Sequence, residues 1–415
     1  MSSRHIPVHP NLDQLKNQAK ELLRAIKAGD ASAIEELRTH HPKQPDPDTI
    51  KLADAQLSLA RSYGIRSWPR LTEACKVIDA IWHDDAEELR SLVLKHPYLL
   101  HEMARGTERC NWGPPMSYAA NLGRDSIIQM LRELGARDIE HAMNRAVLQG
   151  QIETARRLHT MGARLAPGAI MGPAETQSFE GMSLLLELGA KLCDAEGDRL
   201  APVAMILETY CRNVNGKHRC LELLASHGIE LTDTPTMALH RGRIDLLEKH
   251  LQRDPQLLSR TFSLREIYPL AAGCHEDEKL GLHATPLAGT TLLHMCVDFY
   301  EYDIARWLID RGMDANVKAA MDANGFGGHT PLFNCVVRQP GCGTAPFATL
   351  LLDHGADPDI RASLRKALIG SDDDALHTYR DVTPMEWGEQ FHDRAFVDKA
   401  VMKVLAARYN LRLEN

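Results

Sequence analysis

Along residues 125–136, 153–163 and 181–190, leucine or isoleucine returns every three to four positions, and each run closes on Gly-Ala. That period predicts amphipathic helices with one buried face. A glycine just past the last turn supplies the left-handed residue that ends a helix. The closures fall at 135, 162 and 189, two successive intervals of 27 residues, and further closures stand at Gly228, Gly312 and Gly355. A supersecondary unit repeated about every 30 residues predicts a helical solenoid, whose units bury their apolar faces only against their neighbours. Ahead of the repeats, residues 12–29 read as a helix with Leu12, Leu15, Ala19, Leu22, Leu23 and Ile26 on one face. Residues 42–47 read as a proline-rich linker and 53–63 as a further helix ended by Gly64. Ser67 before Trp68-Pro69 predicts a helix cap.

The residues that open and close several units carry a family resemblance. Thr290-Thr291-Leu292-Leu293-His294-Met295-Cys296 and His329-Thr330-Pro331-Leu332-Phe333-Asn334-Cys335 resemble the T-P-L-H-x-A helix start of ankyrin repeats. Gly312-Met313-Asp314-Ala315-Asn316 and Gly355-Ala356-Asp357-Pro358-Asp359 resemble the G-A-D-x-N ankyrin close. Thr234-Pro235-Thr236-Met237-Ala238 and Val382-Thr383-Pro384-Met385-Glu386 are weaker copies. In this motif the threonine caps the helix, the proline suits its first position and the leucine enters the core.

The resemblance implies an all-α solenoid. About nine stacked ankyrin-like helix–turn–helix units would fill residues 77–415, with an insertion at about 263–289 and a long finger at about 318–328. Residues 1–76 resemble a helical module found before ankyrin arrays in bacterial proteins, and would form the N-terminal cap. The charged last unit would cap the other end. The resemblance also implies a concave face, lined by fingers and first helices, on which ankyrin proteins usually bind other proteins.

Composition narrows the function classes. The 415 residues are 44% hydrophobic, 25% charged and only 5% aromatic, which is globular material rich in small helix formers. Lys and Arg number 48 against 56 Asp and Glu, a net charge of -8, which argues against a nucleic-acid or anionic-membrane partner. The apolar run 200–207 is far short of the roughly 20 residues a membrane span needs. Nine scattered cysteines and no visible leader fit reduced thiols in a cytoplasm.

The candidate chemistry gathers late in the chain. Cys274, His275-Glu276-Asp277-Glu278 and His283 sit in the insertion, but their spacing matches no compact zinc pattern, so no metal is expected. No phosphate loop, nucleophile elbow or dinucleotide fingerprint occurs, so no cofactor is expected. Residues 263–289 amount to a repeat's length without helical period, and long loops of this kind are usually functional or disordered. Beside them come Asp298-Phe299-Tyr300-Glu301-Tyr302, where a plain ankyrin repeat would read A-x-x-G-H, then the glycine-rich finger 322–328, then Arg338.

Convergence of these segments would form a polar pocket. Tyr268, Glu276, Tyr300, Asp322, Asn324, Phe326 and Arg338 would line it. Trp112 on an earlier finger and Tyr210, placed on a concave helix, would extend the groove. Two functions fit. One is a binding protein whose concave face takes a partner protein or a polar ligand. The other is a cofactor-independent enzyme, an acid–base hydrolase, lyase or isomerase. There His275 or His283 would be the acid or base, Asp298 its orienting carboxylate and Arg338 the anion anchor. As solvated groups, these four would tolerate replacement with little change in stability.

Overall fold

The computed structural model describes residues 4–108, 110–275, 283–368 and 373–413. It divides into two compact units, Met1–Ala166 and Pro167–Asn415.

In the first unit, helices Leu12–Lys27, Ala31–His40 and Leu52–Ser62 close around Leu15, Ala19, Leu22, Ile26, Leu37 and Leu59. The middle helix carries too few apolar residues to show a period. Asp30 starts it by accepting the Ala33 N–H at 2.8 Å. Helix pairs follow: Trp68–Trp82 with Ala86–Lys95, Pro115–Asn121 with Asp125–Glu133, and Ile139–Leu148 with Ile152–Thr160. Each first helix packs on the first helix of the next pair. Ser67 takes the cap position of Trp68–Trp82, but its side chain makes no capping bond, and Pro69 in the first turn sets that start instead.

The second unit repeats the pattern. Its pairs are Met171–Glu175 with Phe179–Glu187, Ala201–Glu208 with Val214–Ser226, and Pro235–His240 with Ile244–Arg253. After the insertion come Leu292–Asp298 with Tyr302–Asp310, Pro331–Val336 with Ala345–Asp353, and Pro384–Gln390 with Lys399–Leu413. Pro235–His240 packs directly on Leu292–Asp298, so the insertion is held outside the row of first helices. The glycine closures take the left-handed conformation expected of them, with φ of 98°, 105° and 93° at Gly135, Gly162 and Gly189.

The threonine of the repeat start does not always cap. Thr234 and Thr383 accept the N–H of Met237 and Glu386, each at 3.2 Å. Thr291 instead turns its hydroxyl to His294 Nδ1 at 2.9 Å. The other ring nitrogen of His294 lies 2.9 Å from the carbonyl of His329 in the next repeat, so the ring bridges two repeats.

The chain is not all helical. Ala362–Lys366 and His377–Val382 form an antiparallel hairpin, and the finger pairs with it through Gly327 and Ser363 and with itself through Met321 and Gly327. Ala362 and Leu364 on the first strand and Tyr379 and Val382 on the second face inward, and the register shifts between Ala362 and Leu364, so no clean two-residue period marks the hairpin.

Candidate functional site

The insertion is fastened to the repeats by a chain of four buried side chains. Tyr268 follows the one-turn helix Leu264–Ile267, which Glu266 starts by accepting the N–H and hydroxyl of Ser263, each at 2.9 Å. The Tyr268 hydroxyl lies 2.6 Å from His283 Nε2, and His283 Nδ1 lies 2.5 Å from the Asp298 carboxylate. Asp298 ends the helix Leu292–Asp298. Behind it Arg212 donates from Nε to the Asp298 carbonyl at 3.0 Å and pairs with its carboxylate at 3.4 Å. The loop carbonyls of Thr209 and Cys211 hold the same guanidinium at 2.7 and 3.1 Å. Tyr268 is 3% exposed, and the side chains of Arg212, Asp298 and His283 are 3%, 9% and 9% exposed.

Burial pulls the His283 imidazole below its ordinary pKa, more than the adjacent Asp298 carboxylate lifts it. Burial works against the Asp298 charge, yet His283, Arg212 and Lys366 hold that carboxyl below the usual carboxylate range. A neutral ring beside an ionised carboxylate fixes the tautomer. Nδ1–H donates to Asp298, and Nε2 accepts the Tyr268 O–H. Burial also raises the Tyr268 phenol well above its ordinary value. Phenol, imidazole and carboxylate in this order are the parts of a proton relay.

A second buried pair lies alongside. Lys217 Nζ meets Glu301 at 2.7 Å with side chains 4% and 3% exposed, and His218 reaches the same carboxylate at 2.8 Å. The Phe299 ring stands 5.1 Å from the Lys217 ammonium and 5.5 Å from the Arg212 guanidinium, and His240 meets it edge-on at 4.7 Å. Arg212, Lys217 and Phe299 border a void of only about 10 Å³, together with Gln177, Leu207, Cys211 and Val214. His240 Nε2 lies 2.9 Å from the Ile267 carbonyl, while its buried Nδ1 has no partner among the described residues. Tyr300 sits between the two buried carboxylates at φ 62°, a left-handed conformation that a bulky side chain rarely adopts.

The other residues singled out in the sequence are scattered. The His275 side chain is 79% exposed and pairs with Glu208 at 3.3 Å, away from His283. Arg338 donates to Asp398 at 3.1 Å and to the Gln339 carbonyl at 2.7 Å. It does not anchor the His283–Asp298 pair; Arg212 takes that place. Tyr210 is 57% exposed and lies in the loop after Ala201–Glu208, not on a helix. The break comes at Thr209, whose hydroxyl donates to the Glu175 carbonyl at 2.7 Å. Trp112 belongs to the first unit, where it packs on Tyr118 at 4.8 Å. Glu276 lies outside the described residues.

The finger forms a separate surface. Asp322 accepts the N–H groups of Asn324 and Phe326 at 2.8 and 3.0 Å and pairs with Arg365 at 2.7 Å. The nearly buried Phe326 ring has the Arg365 and Arg380 guanidiniums 4.9 and 4.3 Å from its centre. Between this finger, residues 261–264 and residues 286–289 runs an open cleft of about 730 Å³, also lined by Leu364 and Arg365. Met321 on its rim is 70% exposed.

No protein-family model matches the chain, and no curated protein matches it. Among solved structures, the human ASB11 ankyrin repeat domain is similar to it at a TM-score of 0.26 and 15% identity, over 70% of this chain and 96% of that one.

Proposed function

We infer that the chain is an ankyrin-type repeat protein, built as a solenoid of helix pairs, that binds a partner protein or a polar ligand on its finger side. The observation that carries this is the cleft between insertion and finger, whose insertion wall is tied by the backbone bonds of Phe262 with Gly289 and Thr290 and, further in, by the Tyr268–His283 contact. A wall fixed in advance loses little freedom on binding, so more of the contact energy remains as affinity. The rim supplies both kinds of contact: exposed Met321, and the Asp322–Arg365 pair beside Phe326.

The test places a photo-crosslinking side chain at Met321 or, as control, at the similarly exposed Leu94 of the first unit. Discrete adducts should form from Met321 alone and fade on Arg365→Ala. Equal adducts from both positions would sink the reading.

A second reading has a specific observation behind it. The Tyr268–His283–Asp298 order and the unpartnered His240 nitrogen are features of acid–base sites, where perturbed titrating groups gather. On this reading the chain is a cofactor-independent proton-transfer enzyme with His283 as base and Asp298 orienting it. His283→Gln, shown to be folded, should then abolish turnover of any substrate found while leaving its binding within about threefold. Retained turnover would remove the enzyme.

A further inference from the structure

A second cleft, away from the finger, lies where the insertion leaves the helix Ile244–Arg253. It has a volume of about 430 Å³ and is walled by residues 233–236, by His250 and Arg253, by the short turn Pro255–Leu258 and by residues 260–269. Its floor is apolar: Leu257 and Phe262 are each 1% exposed, and Pro235 and Pro269 flank them. Its walls carry Arg253, Arg260 and Arg265 against Asp233, Asp254 and Glu266.

The formal charges cancel, but the hydrogen-bonding capacities do not. Asp233 is shared by His250 at 3.1 Å and Arg253 at 3.3 Å. Asp254 accepts the Gln256 N–H at 3.0 Å and starts the turn Pro255–Leu258. Glu266 takes both Ser263 donors and Arg260 at 2.7 Å. Each carboxylate is therefore spent on the fold. A guanidinium has five N–H donors, and among the described residues Arg253 and Arg260 each donate to one carboxylate only. Arg260 is also held in orientation, by Glu266 on one side and by the Phe262 ring 5.0 Å from its centre. Oriented donors above an apolar floor fit an oxyanion joined to an apolar body, because a guanidinium fork matches phosphate or carboxylate oxygens two at a time.

We propose that this cleft is a binding site for a small molecule bearing a phosphate or carboxylate on an apolar group, with Arg253 and Arg260 as its anion ligands and Leu257 and Phe262 beneath the apolar part. The site shares Phe262 and Glu266 with the lining of the finger cleft, but its anion ligands Arg253 and Arg260 belong to it and not to that cleft or to the buried relay. Its test is titration of phenyl phosphate into the full chain, followed by calorimetry, with inorganic phosphate and phenol titrated separately. Phenyl phosphate should bind saturably and more tightly than either half. R253A/R260A should weaken it at least tenfold, and R260K, which keeps the charge but loses the fork, should weaken it in the same direction. R306A, on an exposed helix position of the same unit, should leave it unchanged. Absence of saturable binding overturns the site. So does binding that survives R253A/R260A, or that R306A weakens equally. Met321→Asp, which disables the finger cleft, should have no effect here, so the two proposals fail separately.

Discussion

Tyr268 and His283, fifteen residues apart in the chain, meet at 2.6 Å and close the insertion on itself before Asp298 ties it to the repeats. The contact draws together the stretch after the one-turn helix Leu264–Ile267, which runs on through the short turn Leu270–Ala272, and the stretch that leads back into the repeats. The insertion is held by this polar chain together with buried apolar side chains, among them Phe262, Ile267, Ala272 and Leu287. A polar fastening inside a protein is strong only while every member is present, because a buried group left without its partner keeps its desolvation cost.

Tyr268→Phe is the mildest break in this chain. It removes the hydroxyl and leaves His283 Nε2 facing a ring, at a cost of about 1–3 kcal/mol. Chemical denaturation of the variant against the parent measures it. An unchanged midpoint would mean that water reaches the imidazole and that the site is not closed.

Asp298→Ala is harsher, since it leaves the Arg212 charge buried without its carboxylate. The expected loss is about 3–5 kcal/mol. The sequence alone predicted little change at His283 and Asp298, on the view that both were solvated. The 9% exposure of each side chain reverses that expectation. It stands for His275, which is 79% exposed, and His275→Ala should unfold with the parent.

Lys217 and Glu301 offer a double-mutant test. Either Lys217→Met or Glu301→Leu alone should destabilise by about 3–5 kcal/mol, whereas both together should recover most of the loss, because the second change removes the charge that the first left unpaired. Additive losses would show that the two do not interact across the core.

Stability should fall with acidification from about pH 6.5. Burial holds the pKa of His240 down at about 3 and that of His329 at about 4, so both stay neutral in the folded chain while their unfolded counterparts take up protons. The unfolded state then binds more protons, and stability decreases as pH falls. Each histidine costs about 1.4 kcal/mol per pH unit between its unfolded and folded values. Urea midpoints at pH 7.5, 6.0 and 5.0 measure the slope. A flat profile over that range would contradict the burial of these rings.

The repeat register itself is tested at Leu293, which is fully buried on the first helix of its pair. Leu293→Ala should cost about 2–5 kcal/mol. An unchanged midpoint would place the residue on the wrong face.

The helix pairs were legible because glycine and the three-to-four spacing are local signals, repeated often enough to correct one another. The hairpin Ala362–Lys366 with His377–Val382 was not, since each strand is short and its pairing is set by residues beyond a loop. At the site, His283 and Asp298 stood out as polar residues in a segment that broke the repeat pattern. Arg212 and Lys217 were missed for opposite reasons. Arg212 belongs to a loop whose start at Thr209 depends on a contact with a different repeat. Lys217 had a readable signal: it shares the buried stripe of Val214–Ser226 with Cys220, Leu221 and Leu224, where a charge is out of place unless something meets it.

The two buried ion pairs also limit how this sequence is able to drift. A domain is stable by only about 5–15 kcal/mol, so losing one member of Arg212–Asp298 or Lys217–Glu301 consumes a large share of that margin. Losing both members of a pair together does not, if apolar residues fill the space. The viable routes away from this arrangement are therefore two-step moves through a poorly folded intermediate. Positions 212 and 298, and positions 217 and 301, should change as couples among related chains, and a relative carrying only half of either couple should hold a new partner for the charge that remains.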